Sequence, residues 1–207
     1  MTVKVLHYTP IEILDTALTK CWGSECKSGD AMMQRIDRII NKNKHGSIAE
    51  HCVVNFDIRG ISRACLQELS RHRHQSLSVE STRYTLGRLK LEEPFIDGDN
   101  IYEIRASQYL VYTGSPIIDA YSIHALDNLR LAIKLGKSND IAKYCLPESF
   151  KTNLTSSLNI RSLMNFLSLR TDKSALWEIR NLAHAMFNAL PEEYKYLLQS
   201  YVKDYNE

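Results

Sequence analysis

The sequence has no long apolar run and almost no excess charge of either sign. No stretch approaches the roughly 18 consecutive apolar residues that a membrane-spanning helix needs, and the first residues lack the basic-then-apolar order of a secretory signal. Subtracting 24 acidic from 26 basic side chains leaves a net charge of +2, which is too small for a surface built to hold long nucleic acid. We therefore expect a cytoplasmic protein that binds neither membranes nor nucleic acid, with any anion site confined to a local cluster.

Cysteine is also sparse, and its spacing excludes two common roles. The five cysteines include no Cys-x-x-Cys pair and no framework of the kind that disulfide-rich domains show. Free thiols in a reducing compartment are the expected state. The chain contains no internal repeat and no low-complexity segment, and its 207 residues are enough to bury a sizeable core in one domain, 1–207.

Short strands and longer helices are mixed along the chain without regular alternation. Apolar and polar residues alternate in 3–8, 52–59 and 150–159, which predicts strands, the second of them ended by Gly60. Helical spacing predicts helices at 11–22, 31–42, 63–71, 101–112, 116–135, 140–145, 160–170, 174–190 and 192–205. Residues 74–84 are predicted to be irregular. The expected fold class is α+β, with a small mixed sheet and several long helices.

The densest group of hydrogen-bond donors lies in residues 71–84, RHRHQSLSVESTRY. Arginine pairs with phosphate oxygens through a planar, two-pronged guanidinium, and hydroxyl groups such as those of Ser81 and Thr82 add neutral donors. The segment therefore favours a phosphate site that includes Arg71 and Arg73. Taken alone, it fits a solvated basic turn as well.

A second polar group lies on the predicted helix within residues 159–170, NIRSLMNFLSLR. At about 100° per residue, one stripe of this helix carries the polar side chains of Arg161, Ser162, Asn165 and Ser168. Arg170 falls on the opposite, apolar side, where a buried guanidinium is costly without an anionic partner. That partner is either a bound ligand or an Asp or Glu of the chain itself.

Residues 45–51, HGSIAEH, predict a tight turn followed by a capped helix start. Gly46 permits the turn, and Ser47 with Glu50 three residues later has the pattern of a capping box. The histidines of this segment, together with His72 and His74, offer an alternative as metal ligands. They lack the helical two-histidine spacing of zinc motifs, so we predict no metal site.

The run Arg71-His72-Arg73, followed by seven intervening residues and Ser81, resembles the signature of flavin-dependent thymidylate synthases, and residues 159–166 look like that family's second block. The resemblance also takes in residues 45–51 and continues through 177–178. It implies an α+β subunit in a homotetramer whose active sites lie between subunits.

Carried over by position, the resemblance implies two sets of binding residues. Those toward the FAD cofactor are Ser47, Arg71, His72, Arg73, Val79, Asn159, Ile160, Arg161 and Asn165. Those toward the nucleotide dUMP are Glu68, Arg71, Val79, Glu80, Ser81, Thr82, Arg83, Lys143 and Arg170. Arg170 is the expected catalytic residue, because a fixed positive charge facing the uracil ring favours its electron-rich, N3-deprotonated form.

Three positions depart from the family pattern. Glu68 stands where the family usually has Gln, Lys143 where Arg is common, and Val79 where Gln or Glu is usual. A lysine still meets a phosphate as a point charge, whereas an ionised glutamate accepts hydrogen bonds and cannot donate them. The role of Glu68 toward dUMP is therefore left open.

The activity that the resemblance implies is reductive methylation of dUMP to dTMP for de novo dTTP synthesis, with methylenetetrahydrofolate as carbon donor and FAD reduced by NADPH. Neither ligand-binding block contains a cysteine, and Ser81 has no evident base partner, so we assign Ser81 to binding rather than to nucleophilic attack. Three alternatives stay open. They are a non-catalytic binder of nucleotide or RNA that stacks bases on tyrosines such as Tyr84, a flavoprotein reductase without a nucleotide substrate, and a metal hydrolase.

Overall fold

The computed structural model of the chain describes residues 1–98 and 100–203. The chain divides into two compact units. Unit 1 consists of Met1–Arg59, Glu68–Ser78 and Leu154–Glu207, and unit 2 consists of Gly60–Gln67 and Val79–Asn153. Long helices and a small sheet are both present, so the predicted α+β fold class is confirmed.

The described residues form six strands: β1 Thr2–Tyr8, β2 Val53–Ser62, β3 Gln75–Val79, β4 Ile96–Asp97, β5 Asn100–Ile101 and β6 Lys151–Asn159. Four of them make one sheet in the order β1-β2-β6-β3, and β4 pairs with β5 in a second, two-stranded sheet. β1 is antiparallel to β2, with Val3 opposite Ile58 and Val5 opposite Phe56. The register shifts between Val5 and His7, which marks an irregularity in β1.

The helices of the described residues are α1 Glu12–Trp22, α2 Gly29–Asp37, α3 Arg63–Ser70, α4 Thr82–Thr85, α5 Glu103–Ala106, α6 Pro116–Lys134, α7 Asn139–Ala142, α8 Ile160–Arg170, α9 Trp177–Asn188 and α10 Glu192–Leu198. A π-helical turn, Arg38–Lys42, continues α2, and 3-10 turns lie at Gly46–His51, Leu86–Leu91, Lys143–Cys145 and Gln199–Tyr201. Within 1–98 and 100–203, no helix has both the length and the apolar character that crossing a membrane requires.

Alternation along the strands decides which side chains are buried. In β2, the side chains of Val54, Phe56 and Ile58 are fully buried, and their immediate neighbours are not. In β6, the buried positions include Leu154 and Leu158 at the same period of two. This matches the strand predictions for 52–59 and 150–159 and is typical of strands that bury one face.

Helix α8 holds the polar stripe of unit 1 in a fixed orientation. It starts directly after β6, and the Oδ1 atom of Asn159 accepts a hydrogen bond from the Ser162 backbone N–H at 2.8 Å. This is an N-cap bond, which satisfies one of the free N–H groups of the first helical turn. The apolar sides of α8 and of its packing partner α9 are buried in unit 1.

Unit 2 has its own apolar core around α6. The core includes Phe95, Tyr109, Leu126, Leu129 and Phe150. The Tyr109 hydroxyl donates a hydrogen bond to the carboxylate of Glu92 at 2.7 Å. Burial, followed by this carboxylate, raises the pKa of Tyr109 to about 12, so the hydroxyl stays protonated and keeps its role as a donor.

The prediction that Gly60 ends the second strand is wrong, because β2 continues to Ser62. Gly60 has a φ of 72°, and its N–H group donates to Oδ1 of Asn153 at 3.0 Å. The glycine thus supplies a backbone conformation that other residues rarely adopt, without interrupting the strand. Ser62 caps the following helix, since its Oγ accepts a hydrogen bond from the Cys65 N–H at 3.0 Å.

Three further predictions need correction. Residues 74–84 are not irregular throughout, because they contain β3 and α4. Of the helix predicted at 101–112, the structure forms only α5, after which Leu110 makes an isolated bridge to Phe150. The predicted helices at 174–190 and 192–205 correspond to α9 and α10, which are shorter, and residues 204–205 lie outside the described part of the chain.

Candidate active site

Two segments that are far apart in the sequence line one cavity in unit 1. The cavity has a volume of about 480 Å³. Its lining comes from the turn after α3, the end of β6, the start of α8 and the turn before β2: Glu50, His72, Arg73, His74, Gln75, Leu158, Asn159, Arg161, Ser162 and Asn165. One cavity is therefore lined by His72 and Arg73 of the first motif and by Asn159, Arg161 and Asn165 of the second.

Helix α8 explains why its polar residues face the cavity. Arg161, Ser162 and Asn165 occupy one side of the helix and line the cavity, whereas Leu163 and Phe166 are buried. The cap at Asn159 ties the first turn of the helix to the end of β6. The predicted polar stripe is confirmed in these positions, although Ser168 is not part of the lining.

Arg161 forms an ion pair with Glu50 across the cavity wall, with Nη1 and Oε1 2.5 Å apart. Both side chains are about half exposed, so the pair lies in a solvated setting where such contacts contribute little to stability. The prediction of a capping box at 47–50 is wrong. The segment forms a 3-10 turn, Gly46–His51, that has no side-chain cap, and the Glu50 carboxylate is turned to Arg161 instead.

Arg73 contributes an uncompensated cation to the same cavity. Its side chain is exposed, and no carboxylate within 1–98 and 100–203 forms an ion pair with it. Together with Arg161 it gives the cavity two guanidinium groups, and the side chains of Asn159 and Asn165 add amide groups. Such a donor set is suited to phosphate oxygens and to the polar edge of a heterocycle.

Arg170 at the end of α8 is held by three hydrogen bonds within unit 1. Its Nη1 donates to the Glu68 carboxylate at 2.9 Å, its Nη2 donates to the Glu68 backbone carbonyl at 3.2 Å, and its Nε donates to Nε2 of His72 at 2.8 Å. Only 17% of the Arg170 side chain is exposed. The side chain is thus mostly but not fully buried, and its anionic partner is Glu68, which is one of the two kinds of partner that the sequence left open.

The His72 ring packs edge-on against Phe166, with ring centroids 4.9 Å apart. Burial lowers the pKa of His72 below its ordinary value, the positive charge of Arg170 lowers it further, and Glu68 acts in the opposite direction. The imidazole is therefore neutral near neutral pH. Since Nε2 accepts from Arg170, the ring proton resides on Nδ1.

Several residues expected to bind the nucleotide are assembled in unit 2. Ser81 precedes α4, and its backbone carbonyl accepts bonds from the N–H groups of Tyr84 and Thr85. Arg83 pairs with Asp140 on α7, with Nε and Oδ1 2.8 Å apart, and α7 runs directly into the turn that carries the exposed Lys143. This brings the hydroxyl-rich turn and the predicted lysine to neighbouring elements.

Glu80 is held beside this turn by Asn153. The Glu80 N–H donates to the Asn153 carbonyl at 2.8 Å, and the Asn153 side-chain amide donates to the Glu80 carboxylate at 2.6 Å. Arg88 adds a longer contact to Glu80 at 3.7 Å. The backbone of Glu80 is thereby fixed, as a backbone contact to a nucleotide requires.

Other predicted residues lie apart from the cavity lining. Ser47 is exposed in its 3-10 turn, and Val79 is the exposed last residue of β3. Ile160 is fully buried, and its N–H is already bonded to the Cys52 carbonyl at 2.9 Å. Glu68 contacts both Arg170 and Arg71 in unit 1. The other expected nucleotide residues, Glu80, Ser81, Thr82, Arg83 and Lys143, belong to unit 2.

Sequence reasoning did not include five of the residues that line the cavity, Glu50, His74, Gln75, Leu158 and Ser162, among the binding residues. Ser162 carried a usable signal, because it belongs to the polar stripe. Glu50 carried none, since its partner Arg161 is 111 positions away. Within residues 1–98 and 100–203, no group of three or more His, Cys, Asp or Glu side chains is arranged to hold a metal ion.

Comparison with known proteins identifies the family. The sequence model of the family described as thymidylate synthase complementing protein matches residues 4–194. A flavin-dependent thymidylate synthase from Wolinella succinogenes is 55% identical over 200 residues, which cover 95% of this chain and 97% of the relative. The chain belongs to the flavin-dependent thymidylate synthase family. The prediction of this family, and of an enzyme of this kind, is confirmed.

Other members of the flavin-dependent thymidylate synthase family support the same assignment. A relative from Campylobacter jejuni is 52% identical over 202 residues, covering 96% of both chains. Among solved structures, thymidylate synthase X from Helicobacter pylori, crystallised with FAD and dUMP, aligns with a TM-score of 0.94 at 44% identity and covers 99% of this chain and 100% of its own. The fold described above is therefore that of the family.

Proposed function

We propose that this chain converts dUMP to dTMP by reductive methylation, with methylenetetrahydrofolate as the carbon donor and FAD reduced by NADPH. The main support for this proposal is that Arg73 and Arg161, which are 88 positions apart in the sequence, line the same cavity. The family relationship supports the same reading, because a relative at 44% identity was crystallised with FAD and dUMP. We place the reaction in the cytoplasm, in the pathway that supplies dTTP.

The donor chemistry of the cavity fits a flavin dinucleotide. FAD carries a diphosphate, for which the guanidinium groups of Arg73 and Arg161 are matched donors. The ring system of the flavin presents carbonyl oxygens and ring nitrogens, and the amides of Asn159 and Asn165 are able to donate to them and accept from them. Arg71, Ser47, His72, Val79 and Ile160 complete the proposed cofactor set. Of these, Ile160 has only its carbonyl to offer, because its side chain is buried and its N–H is bonded.

Glu50 is an internal substitute for the cofactor's phosphate in this proposal. Its carboxylate pairs with Arg161, the same guanidinium that the proposal assigns to the cofactor's phosphate. Binding of the dinucleotide then exchanges one anionic partner of Arg161 for another, and Glu50 turns toward solvent, where half of its side chain already lies. The affinity for FAD is reduced by whatever the exposed ion pair contributes, which is typically less than about 1 kcal/mol.

The nucleotide is held by a separate group of residues. Ser81, Thr82 and Arg83 provide hydroxyl and guanidinium donors for its phosphate and sugar, and Lys143 adds a point charge. The backbone of Val79 and the carbonyl of Glu80 complete the group, because the Glu80 N–H is already bonded to the Asn153 carbonyl. Arg83 exchanges its present partner Asp140 for the phosphate. Arg71 contacts both the flavin and the nucleotide.

Arg170 activates the pyrimidine. A fixed guanidinium that faces the uracil ring stabilises negative charge developing on it, and so favours the N3-deprotonated form that is richer in electrons at C5. Carbon C5 of dUMP then bonds to the methylene carbon of the folate, and the C5 proton is released. Both bonds between the methylene carbon and the folate nitrogens break, so the folate leaves as tetrahydrofolate. The hydride that completes the methyl group would come from reduced FAD when it is bound, with the two electrons provided by the nicotinamide.

No protein nucleophile is needed for this reaction. Cys52 and Cys65 are buried, and burial raises the pKa of the Cys52 thiol, which keeps it in its unreactive protonated form. The three exposed cysteines, Cys21, Cys26 and Cys145, belong to neither ligand-binding block. Among the described residues, none is recorded as a base that accepts a hydrogen bond from the Ser81 hydroxyl. Ser81 is therefore a binding residue, and orientation and electrostatics are what the protein supplies.

We also propose that the chain assembles as a homotetramer with active sites between subunits. Support for self-association comes from side chains that are exposed along one side of α6 and at the residue after it. They recur at intervals of four and three residues, which is the spacing found at the interface between two packed helices: Ile117, Tyr121, His124, Asn128, Leu131 and Leu135. Tyr121→Glu combined with Leu131→Glu should lower the molar mass measured by light scattering. An unchanged mass would show that this stripe is not an assembly surface.

Release of tritium from dUMP labelled at C5 tests the proposed function. We expect release only when FAD, NADPH and methylenetetrahydrofolate are all present, together with formation of dTMP. Oxidation of NADPH without any effect of dUMP would indicate a flavoprotein reductase. Binding of dUMP without release under any condition would indicate a non-catalytic nucleotide binder.

A further inference from the structure

Glu68 lies between two arginines that the proposed function places at the nucleotide. It is located on α3, and its carboxylate contacts Arg170 Nη1 at 2.9 Å through Oε2 and Arg71 Nη1 at 3.9 Å through Oε1. The Glu68 side chain is 27% exposed, whereas the Arg71 side chain is 74% exposed. The closer and more buried of the two contacts is therefore the one to Arg170.

The contacts of Arg170 leave its guanidinium little freedom to move. Of its five N–H bonds, three are directed at Glu68 and His72, one each from Nε, Nη1 and Nη2. His72 is itself fixed by its edge-on contact with Phe166. Among the residues that the structure describes, none accepts a hydrogen bond from the second N–H of Nη1 or of Nη2, so both are available for a ligand in a direction that Glu68 and His72 set.

The charge of this group is also set by Glu68. Arg170 and Arg71 each carry one positive charge, Glu68 carries one negative charge, and His72 is neutral near neutral pH, so the net charge is +1. A glutamine in place of Glu68 would leave +2. Because a carboxylate at hydrogen-bonding distance cancels much of a guanidinium's field at longer range, Glu68 moderates the field that reaches the nucleotide.

We propose that Glu68 is a positioning residue that orients Arg170 and moderates its charge, and that it is not a ligand of the nucleotide. The inference rests on the proposed function and deepens it by giving a role to the position whose role the sequence left open. A carboxylate that acted as a ligand would have to face the anionic nucleotide directly, which its contacts with two arginines oppose.

Three variants of Glu68 separate orientation from charge. Glu68→Gln keeps an oxygen that accepts from Arg170 Nη1 and removes the negative charge, so dUMP should bind roughly fivefold more tightly with turnover retained. Glu68→Asp keeps the charge but is one methylene shorter, and Glu68→Ala removes the acceptor. Both should lose about tenfold or more in kcat/KM, because Arg170 is no longer held in place.

A readout that does not depend on turnover is the NMR titration of His72 in the full-length protein. Burial and Arg170 lower the pKa of His72, and the negative charge of Glu68 partly offsets this effect. Glu68→Gln removes that charge and should therefore lower the pKa of His72 further. Asp57→Asn is the matched control, because it removes one carboxylate from the exposed ion pair with Arg59 on β2. It should change neither the His72 titration nor the affinity for dUMP.

Equal loss of dUMP binding in Glu68→Gln and Glu68→Ala, with an unchanged His72 titration, would overturn the inference and make Glu68 a direct ligand. Failure of the proposed function has a different signature. In that case the wild-type protein releases no tritium from dUMP, while the His72 titration still reports whether Glu68 holds the Arg170 group.

Discussion

The Nε atom of Arg170 donates a hydrogen bond to Nε2 of His72 at 2.8 Å, which joins the end of α8 to the turn after α3. An imidazolium has protons on both nitrogens and cannot accept this bond. The contact between the two residues therefore exists only while His72 is neutral. Protonation of His72 therefore removes one of the bonds that hold Arg170 and leaves Arg170 itself unchanged.

Acid should weaken the fold through His72. Its pKa in the folded protein is lower than the ordinary value of 6.5, so in the unfolded chain His72 takes up a proton at a higher pH. The unfolded state then binds more protons, and its stability relative to the folded state increases as pH falls from about 6.5 through the folded pKa. The contribution of neutral His72 to the free energy of unfolding is therefore complete above about pH 6.5 and is lost below the folded pKa of His72.

The measurement is the free energy of unfolding in urea at about pH 7 and about pH 5, for wild type and for His72→Gln. Glutamine still accepts from Arg170 Nε but does not titrate, so this variant should lose less stability on acidification. His51→Gln, at the exposed end of the 3-10 turn before β2, is the control and should behave as wild type does. A His72→Gln variant as acid-sensitive as wild type would contradict the role of His72.

Replacement of Arg170 should remove catalysis and spare cofactor binding. Arg170→Ala eliminates the charge proposed to face the uracil ring, and loss of one such electrostatic group typically costs a factor of about 100 to 1000 in kcat. Arg170 does not line the cavity proposed for FAD, so the flavin absorbance bands of the variant should be retained. Normal tritium release by Arg170→Ala would refute the activating role.

Arg170→Lys is the informative companion variant. Lysine keeps the positive charge but cannot reproduce three directed bonds to Glu68 and His72. An activity between those of wild type and Arg170→Ala is expected. Activity equal to wild type would show that charge alone is sufficient.

Asn159 has two roles that substitution separates. Asn159→Ala removes the N-cap bond to the Ser162 N–H and should reduce the free energy of unfolding by about 1 kcal/mol. Asn159→Asp keeps the cap but places a carboxylate in the cavity lining, so it should retain stability and lose affinity for FAD. Tight FAD binding by the aspartate variant would argue against a phosphate in that cavity.

Helical periodicity predicted which side chains of α8 share one face, whereas partners that are distant in the sequence were not predictable. The polar stripe of α8 follows from helical periodicity, a local property, and its residues Arg161, Ser162 and Asn165 do line the cavity. The pairing of Arg170 with Glu68 does not follow from sequence, because 102 positions separate the two residues and several carboxylates were eligible partners. Spatial partners of this kind require the fold.

Errors in the fold have a similar origin. β3, QSLSV, has little apolar alternation, and it forms a strand because β6 pairs with it. The segment 101–112 has good helical spacing, yet tertiary bonds interrupt it, among them those that connect Leu110 with Phe150 and Lys151 with Tyr109. In both places long-range pairing overrides local preference.

The most direct test of whether segments 71–73 and 159–165 both bind the same FAD is to measure the FAD affinity of variants at the cavity. Arg73→Ala and Arg161→Ala should each weaken FAD binding about tenfold or more, and Glu50→Gln should strengthen it, because Arg161 loses its competing partner. Arg59→Ala, an exposed arginine on β2, is the control. Fluorescence titration should therefore rank Glu50→Gln above wild type and control, with both arginine variants far below. Equal affinities for FAD in all of these proteins would contradict the assignment of the cavity to the flavin.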